Sequence, residues 1–160
     1  MKQTFGVIFA VMIAAIVASV AVSATTTTLS SDSLTMGYTD VQVVQACFSG
    51  YHGNTVSVVI NPICKDVDGV FGCQAGDTLN PSGFSVVPGA ASVADGGCTN
   101  LTITTTLTPS NAGTFYYTVN GEVGQAVLGS ETGQVFVPEF GVAAAGLVLV
   151  GAGLFISKRR

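Results

Sequence analysis

An all-β sandwich is predicted for the middle of this 160-residue chain, and three observations predict it. Runs of β-branched and aromatic residues recur between Gly, Pro and Asn turns at the spacing of short strands. One of them, Leu101-Thr102-Ile103-Thr104-Thr105-Thr106-Leu107, alternates with the two-residue period of a strand, Leu101, Ile103, Thr105 and Leu107 on one face. Four cysteines supply two staples for a core too small to be comfortable without them.

Taken in order, the chain begins with Lys2 and an almost uninterrupted apolar run from Phe5 to Val22, then Val22-Ser23-Ala24. Small residues in that place are what a signal peptidase cuts, so 1–24 is predicted as a secretory signal peptide cleaved after Ala24. An uncleaved N-terminal anchor is the alternative, and either one exports the segment from Thr25 onward. Residues 25–33 are Ser/Thr-rich and read as a tether or an edge segment, with hydroxyls open to O-glycosylation.

The ectodomain is predicted over 34–137, with strands at 41–48, 55–60, 84–87, 101–107, 114–119, 122–128 and 134–137. Turn chemistry separates them: Gly50-Tyr51-His52-Gly53-Asn54, Asn61-Pro62, Asp68-Gly69, Asn80-Pro81, Pro88-Gly89, Asp95-Gly96-Gly97, Pro109-Ser110-Asn111 and Asn120-Gly121. The last predicts a type I′ hairpin joining 114–119 to 122–128, because Asn-Gly accepts positive φ at both central positions.

Four cysteines allow three pairings. Cys64 and Cys73 flank a short turn-containing segment whose ends can meet, which leaves Cys47 for Cys98. On the chain-entropy account the longer loop is worth about 4 to 5 kcal/mol and the shorter about 3. Zinc is excluded by the lack of any Cys-x-x-Cys.

Residues 140–156 are uncharged and are followed by Ser157-Lys158-Arg159-Arg160. Seventeen helical residues span about 25 Å, the lower limit for crossing a bilayer. The basic cluster sets that end on the cytoplasmic side and leaves the sandwich outside. Just before the apolar run stands Val137-Pro138-Glu139-Phe140-Gly141. A Pro-Glu-Phe element, a brief Gly/Ala/Leu/Val helix and a basic cluster together resemble the PEF-CTERM and PEFG-CTERM sorting signals of archaeal surface proteins. The resemblance covers 137–160 only. It implies a substrate rather than an enzyme: an archaeosortase, a membrane-embedded cysteine transpeptidase, would recognise Pro138, Glu139 and Phe140, with Gly141 matching the four-letter form, remove the helix and attach the new end to lipid. A permanent transmembrane anchor is the alternative.

The segment from Leu107 to Tyr117 resembles the approach to strand F of immunoglobulin-like domains, with Asn111 in place of the acid, Gly113 matching and Phe115 where a tyrosine would make the corner hydrogen bond. The resemblance implies an architecture and carries no activity with it.

Charge and composition exclude whole classes of function. Charged residues are 9% of the chain, and four of its five cations, Lys2, Lys158, Arg159 and Arg160, lie in the end segments. Between Thr25 and Val137, Lys65 faces eight carboxylates, a net charge of −7 that cannot track phosphates, so nucleic-acid binding is excluded. The mean hydropathy of +0.60 comes mostly from the two end segments. His52 is the sole histidine, which rules out His-rich metal centres, and no Gly-x-Ser-x-Gly exists to carry a hydrolase. Asp66, Asp68 and Asp77 form the one carboxylate cluster, offering calcium-type oxygen ligands without the full loop pattern, against the plainer reading of a solvated acidic loop. Asn100-Leu101-Thr102 is the one usable N-glycosylation sequon, since proline blocks Asn80-Pro81-Ser82. The expectation is a cell-surface structural or adhesive protein without cofactor or catalytic site. Its partners are the membrane, signal peptidase and an archaeosortase-type enzyme. The alternative is an extracellular ligand- or calcium-binding module working through sandwich loops.

Overall fold

Every second residue from Leu101 to Leu107 is buried and most of those between are partly or fully open, as the alternation predicts. The computed structural model describes residues 24–139; the rest of the predicted signal peptide, Phe140, Gly141, the apolar segment 140–156 and the basic cluster lie outside them. Among the described residues no helix is long and apolar enough to cross a membrane. Within them ten strands run in order: β1 Thr26–Leu29, β2 Ser33–Thr35, β3 Thr39–Ser49, β4 Thr55–Lys65, β5 Thr78–Leu79, β6 Phe84–Pro88, β7 Ser92–Ala94, β8 Cys98–Thr106, β9 Gly113–Val123 and β10 Ala126–Val137.

They form two sheets. The first has the order β1-β3-β8-β6, and the second β2-β10-β9-β4-β5 with β7 also on β4. All pairings are antiparallel except β2 with β10. With β1, β3, β4, β6, β8, β9 and β10 as strands A to G, these are the A-B-E-D and G-F-C orders of an immunoglobulin-like sandwich. The predicted all-β sandwich is therefore what the chain forms.

The core fills the space between the sheets. Val44, Phe48, Leu101 and Ile103 from the first meet Val56, Phe115, Tyr117, Val119, Val135 and Val137 from the second in one cluster. Each such side chain withdraws enough apolar surface to contribute about 1.5–3 kcal/mol. Phe84 and Phe115 stack across the gap with centroids 4.7 Å apart. Phe115, lacking the corner hydroxyl, thus fixes its strand by ring contact.

Four expectations are corrected. Residues 25–33 are no free tether: of the two readings, the edge segment is the one realised, with β1 pairing Thr26 through Leu29 with Ser49 through Ala46. Its Thr27 is buried. Asn61-Pro62 is no turn, because β4 runs through it and absorbs the missing donor in a bulge between Ile60 and Ile63. The segments 122–128 and 134–137 are not separate strands: Glu122 ends in β9, and β10 runs unbroken from Ala126 to Val137 apart from one register shift. The hairpin also turns elsewhere. β9 passes straight through Asn120-Gly121, and the chain reverses at Gly124 and Gln125, whose φ angles of 58° and 71° make the type I′ geometry.

Gly121 is a glycine for a different reason. A Cβ there would strike the ring and hydroxyl of Tyr51, and lie 2.9 Å from Phe48 Cδ1. Its cross-strand partner Gly129 also faces the Tyr51 hydroxyl. Tyr51, from the turn after β3, is thus sunk wholly into the core over a glycine pair, its hydroxyl 2.8 Å from Thr27 Oγ1.

Candidate functional site

The acidic loop is built on the end of β4. Cys64 is buried there and bonded to Cys73, their Cα atoms 5.7 Å apart, as the sequence predicts. The closure folds 66–77 back on itself and brings Asp66, Asp68 and Asp77 together, one oxygen of each within 4.8 Å of the others. Those carboxylates also hold the loop: Asp66 Oδ1 accepts from the backbone N–H of Asp68 (3.1 Å) and Gly69 (2.7 Å), and Asp68 Oδ1 from Val70 (2.9 Å). Asp77 accepts from Val67 at 3.0 Å and from Gln74 at 2.8 Å. Phe71 lays its ring edge-on to Tyr116, centroids 5.1 Å apart, covering the outer face of β9. Burial first, and then the charges of Asp66, Asp77 and Asp68, push the Tyr116 phenol up. Three hard oxygen donors are a partial calcium set, which carbonyls and water would have to complete.

The turn after β3 is a second loop site. His52 is exposed at its tip with φ of 57°. The turn is clamped from afar by Asp95, whose carboxylate accepts from the backbone N–H of Tyr51 (3.0 Å) and Gly53 (2.8 Å). The Gly53 bond first and the Tyr51 bond second hold that carboxyl below its ordinary range. Nothing local marks Asp95: its partners are more than forty residues upstream, and Asp95-Gly96-Gly97 reads from sequence as a turn alone.

The C-terminal element begins where the sandwich ends. β10 closes at Val137, and Pro138, with no N–H for a ladder, is the first residue past it. Glu139 is exposed. The Tyr38 hydroxyl donates to the Pro138 carbonyl at 2.7 Å, a contact across 100 residues that sequence reading had no means to find. A cavity of about 320 Å³ lies beside it, lined by residues 35–38 and 137–139. At the other end of β10, Thr25 Oγ1 donates to the Leu128 carbonyl at 2.6 Å, so the residue after the predicted cleavage point at Ala24 is already held by the fold.

Cys47 and Cys98 are also bonded as expected, directly opposite each other on β3 and β8 with Cα atoms 4.0 Å apart. The bond lies within one sheet and on its outer side, unlike the inter-sheet bond between strands B and F of antibody domains. Two residues further along β8, Asn100 is exposed on the same side.

No protein-family model matches the chain, and no curated protein matches it. Among solved structures it is similar to the class 5 fimbriae chaperone CfaA, at 10% identity and a TM-score of 0.47, over 71% of this chain and 55% of that one. It is similar also to PapD-like domain 7 of human CEP192 (14% identity, TM-score 0.44, 71% of this chain and 84% of that one). A third is murine CRIg (14% identity, TM-score 0.39, 70% and 98%). The chain spans little more than half the length of the chaperone.

Proposed function

We propose that this chain is an exported cell-surface protein with a structural or adhesive role, anchored through its C-terminal segment and processed there by an archaeosortase-type enzyme. The observation that carries the reading is the position of Pro138. The ladder stops at Val137, so the Pro-Glu-Phe element starts at the first residue outside the folded sheet, with Glu139 open to solvent. A processing enzyme meets it without unfolding a strand. The two disulfides, which use every cysteine in the chain, support an oxidising compartment outside the cytoplasm. In this reading the protein is a substrate and not a catalyst, and Asn100 is placed where a glycan would project from the sheet. Intact-mass analysis of the chain isolated from its own membrane tests the reading. Truncation near Pro138 with added lipid mass is expected; a mature species retaining Lys158, Arg159 and Arg160 overturns processing.

The alternative, an ion-binding module, has one observation in its favour, the meeting of Asp66, Asp68 and Asp77. On that reading millimolar calcium raises the melting temperature and Asp68→Asn abolishes the rise. A melting curve unmoved by calcium assigns the three carboxylates to loop closure alone.

A further inference from the structure

Open apolar side chains gather at the end of the sandwich from which the chain departs. Register defines that end: Lys65, the last residue of β4, pairs with Phe115, and Gly113 pairs with Val137, the last residue of β10. Five of the ten exposed large apolar side chains among the described residues stand there, Val67, Val70, Phe71, Leu79 and Phe136, each between 45% and 67% exposed. They include both exposed phenylalanines, whereas the opposite end, beside the Gly124-Gln125 turn, opens Val127 and Leu128. They also share a side. Leu79 pairs with Cys64, Cys64 with Tyr116, and the Phe71 ring lies on Tyr116. Phe136 faces the same way one row nearer the end, because its partner Thr114 is two residues from Tyr116. The Thr114 carbonyl accepts from the Asp66 N–H at 2.9 Å, so the disulfide loop begins beside Phe136. Open apolar surface gathered in this way marks a place of contact.

Where the chain goes next names the occupant. The apolar run starts at Phe140, so Pro138 and Glu139 alone separate the end of β10 from it. Two residues reach about 7 Å at full extension. We propose that this patch rests on the lipid surface, with Val67, Val70 and Phe71 of the disulfide loop and Phe136 of β10 in the headgroup layer. The proposal rests on the C-terminal anchoring proposed above, and holds equally for a retained helix or an attached lipid. Apolar side chains at the headgroup boundary gain by burial, and a short tether keeps them there. The loop carboxylates leave the contact open: Asp66 and Asp77 are partly buried and their oxygens are taken up by backbone N–H groups of the loop. Lys65, the one cation among the described residues, stands at this same end. A glycan at Asn100, level with Gln45 towards the other end of β8, clears the contact.

The chain contains no tryptophan, so a single introduced one reports one place. Phe71→Trp and Leu128→Trp, exported by a host, purified from its membranes and reconstituted in phosphatidylcholine vesicles with brominated acyl chains, form the test. Bromine is expected to quench Phe71→Trp several-fold more than Leu128→Trp, and the emission of Phe71→Trp to shift to the blue. Adding Val67→Asp or Val70→Asp, both at exposed positions, is expected to reduce the quenching. Flotation reports anchoring separately. A chain that floats with Phe71→Trp quenched no more than Leu128→Trp, or quenched indifferently to both aspartates, overturns this proposal and leaves the anchoring standing. A blue shift without bromine quenching means that protein covers the loop and overturns it too. A chain that does not float overturns the anchoring and this proposal with it.

Discussion

Tyr51 is the residue around which two glycines and a threonine are chosen. Because Gly121 and Gly129 form a cross-strand pair under it, either one replaced by alanine puts a methyl into the phenol. Overpacking of this kind costs about 1–3 kcal/mol. Gly129→Ala is therefore expected to lower stability by that order in urea unfolding, and Tyr51→Phe, which removes the oxygen nearest the new methyl, to recover part of the loss. Strict additivity of the two changes would mean that the contact is not the cause. Two titrating groups act at the same scale. Asp95 has its pKa lowered by bonds from Gly53 and Tyr51, so its contribution is present above the unfolded value near 3.9 and is lost as pH falls through the folded value. Asp95→Asn is expected to melt at lower temperature than the parent at neutral pH, with the gap closing below about pH 4. Tyr117 moves the other way: burial, then the charge of Asp32, pushes its phenol up to about 12. Its contribution is complete below about pH 10, the ordinary tyrosine value, and disappears as pH rises towards 12. Ultraviolet titration should show a phenol ionising last, together with alkaline unfolding.

Individual elements differ in how well the sequence announces them, and the reason lies in where each finds its partner. β8 was legible because its alternation is a local record of a sheet with one buried face. The disulfide loop and its three carboxylates were legible because Cys64 and Cys73 stand only nine positions apart, so closing the loop needs no knowledge of the rest. β1, β2, β5 and β7 were not, since each has two to four residues, too few for an alternation to show, and exists only by pairing with a longer strand. The hairpin shows the two effects in conflict. Asn120-Gly121 carries the stronger turn signal, yet tertiary packing claims Gly121 for Tyr51 and moves the reversal to Gly124 and Gln125. Gln125 consequently sits at positive φ without the side chain that suits it. Gln125→Gly is expected to stabilise by roughly 0.5–1 kcal/mol, read as a higher urea midpoint. No gain would mean that the glutamine makes a compensating contact.

At the scale of the molecule, the two disulfides should be unequal. Removing the pair Cys47 and Cys98, which closes 51 residues, is expected to cost about 4 kcal/mol on the chain-entropy account, and removing Cys64 and Cys73 about 3. Calorimetry of the two double-serine variants gives the order, and its reversal would point to the packing of Phe71 on Tyr116 in place of loop length. The run of β10 carries one more consequence. Thr25 is held near its first residues and Pro138 follows its last, so the chain enters and leaves the sandwich at opposite ends of a strand about 40 Å long. A pull between those ends runs parallel to the strands and across their hydrogen bonds. The ladder with β9 then resists in shear, many rungs loaded together, where a pull that drew Gly113 away from Val137 would open them one by one from the unjoined end of the hairpin. Under the proposed anchoring at Pro138, a grip on the far tip would therefore make the sandwich a tension-bearing link.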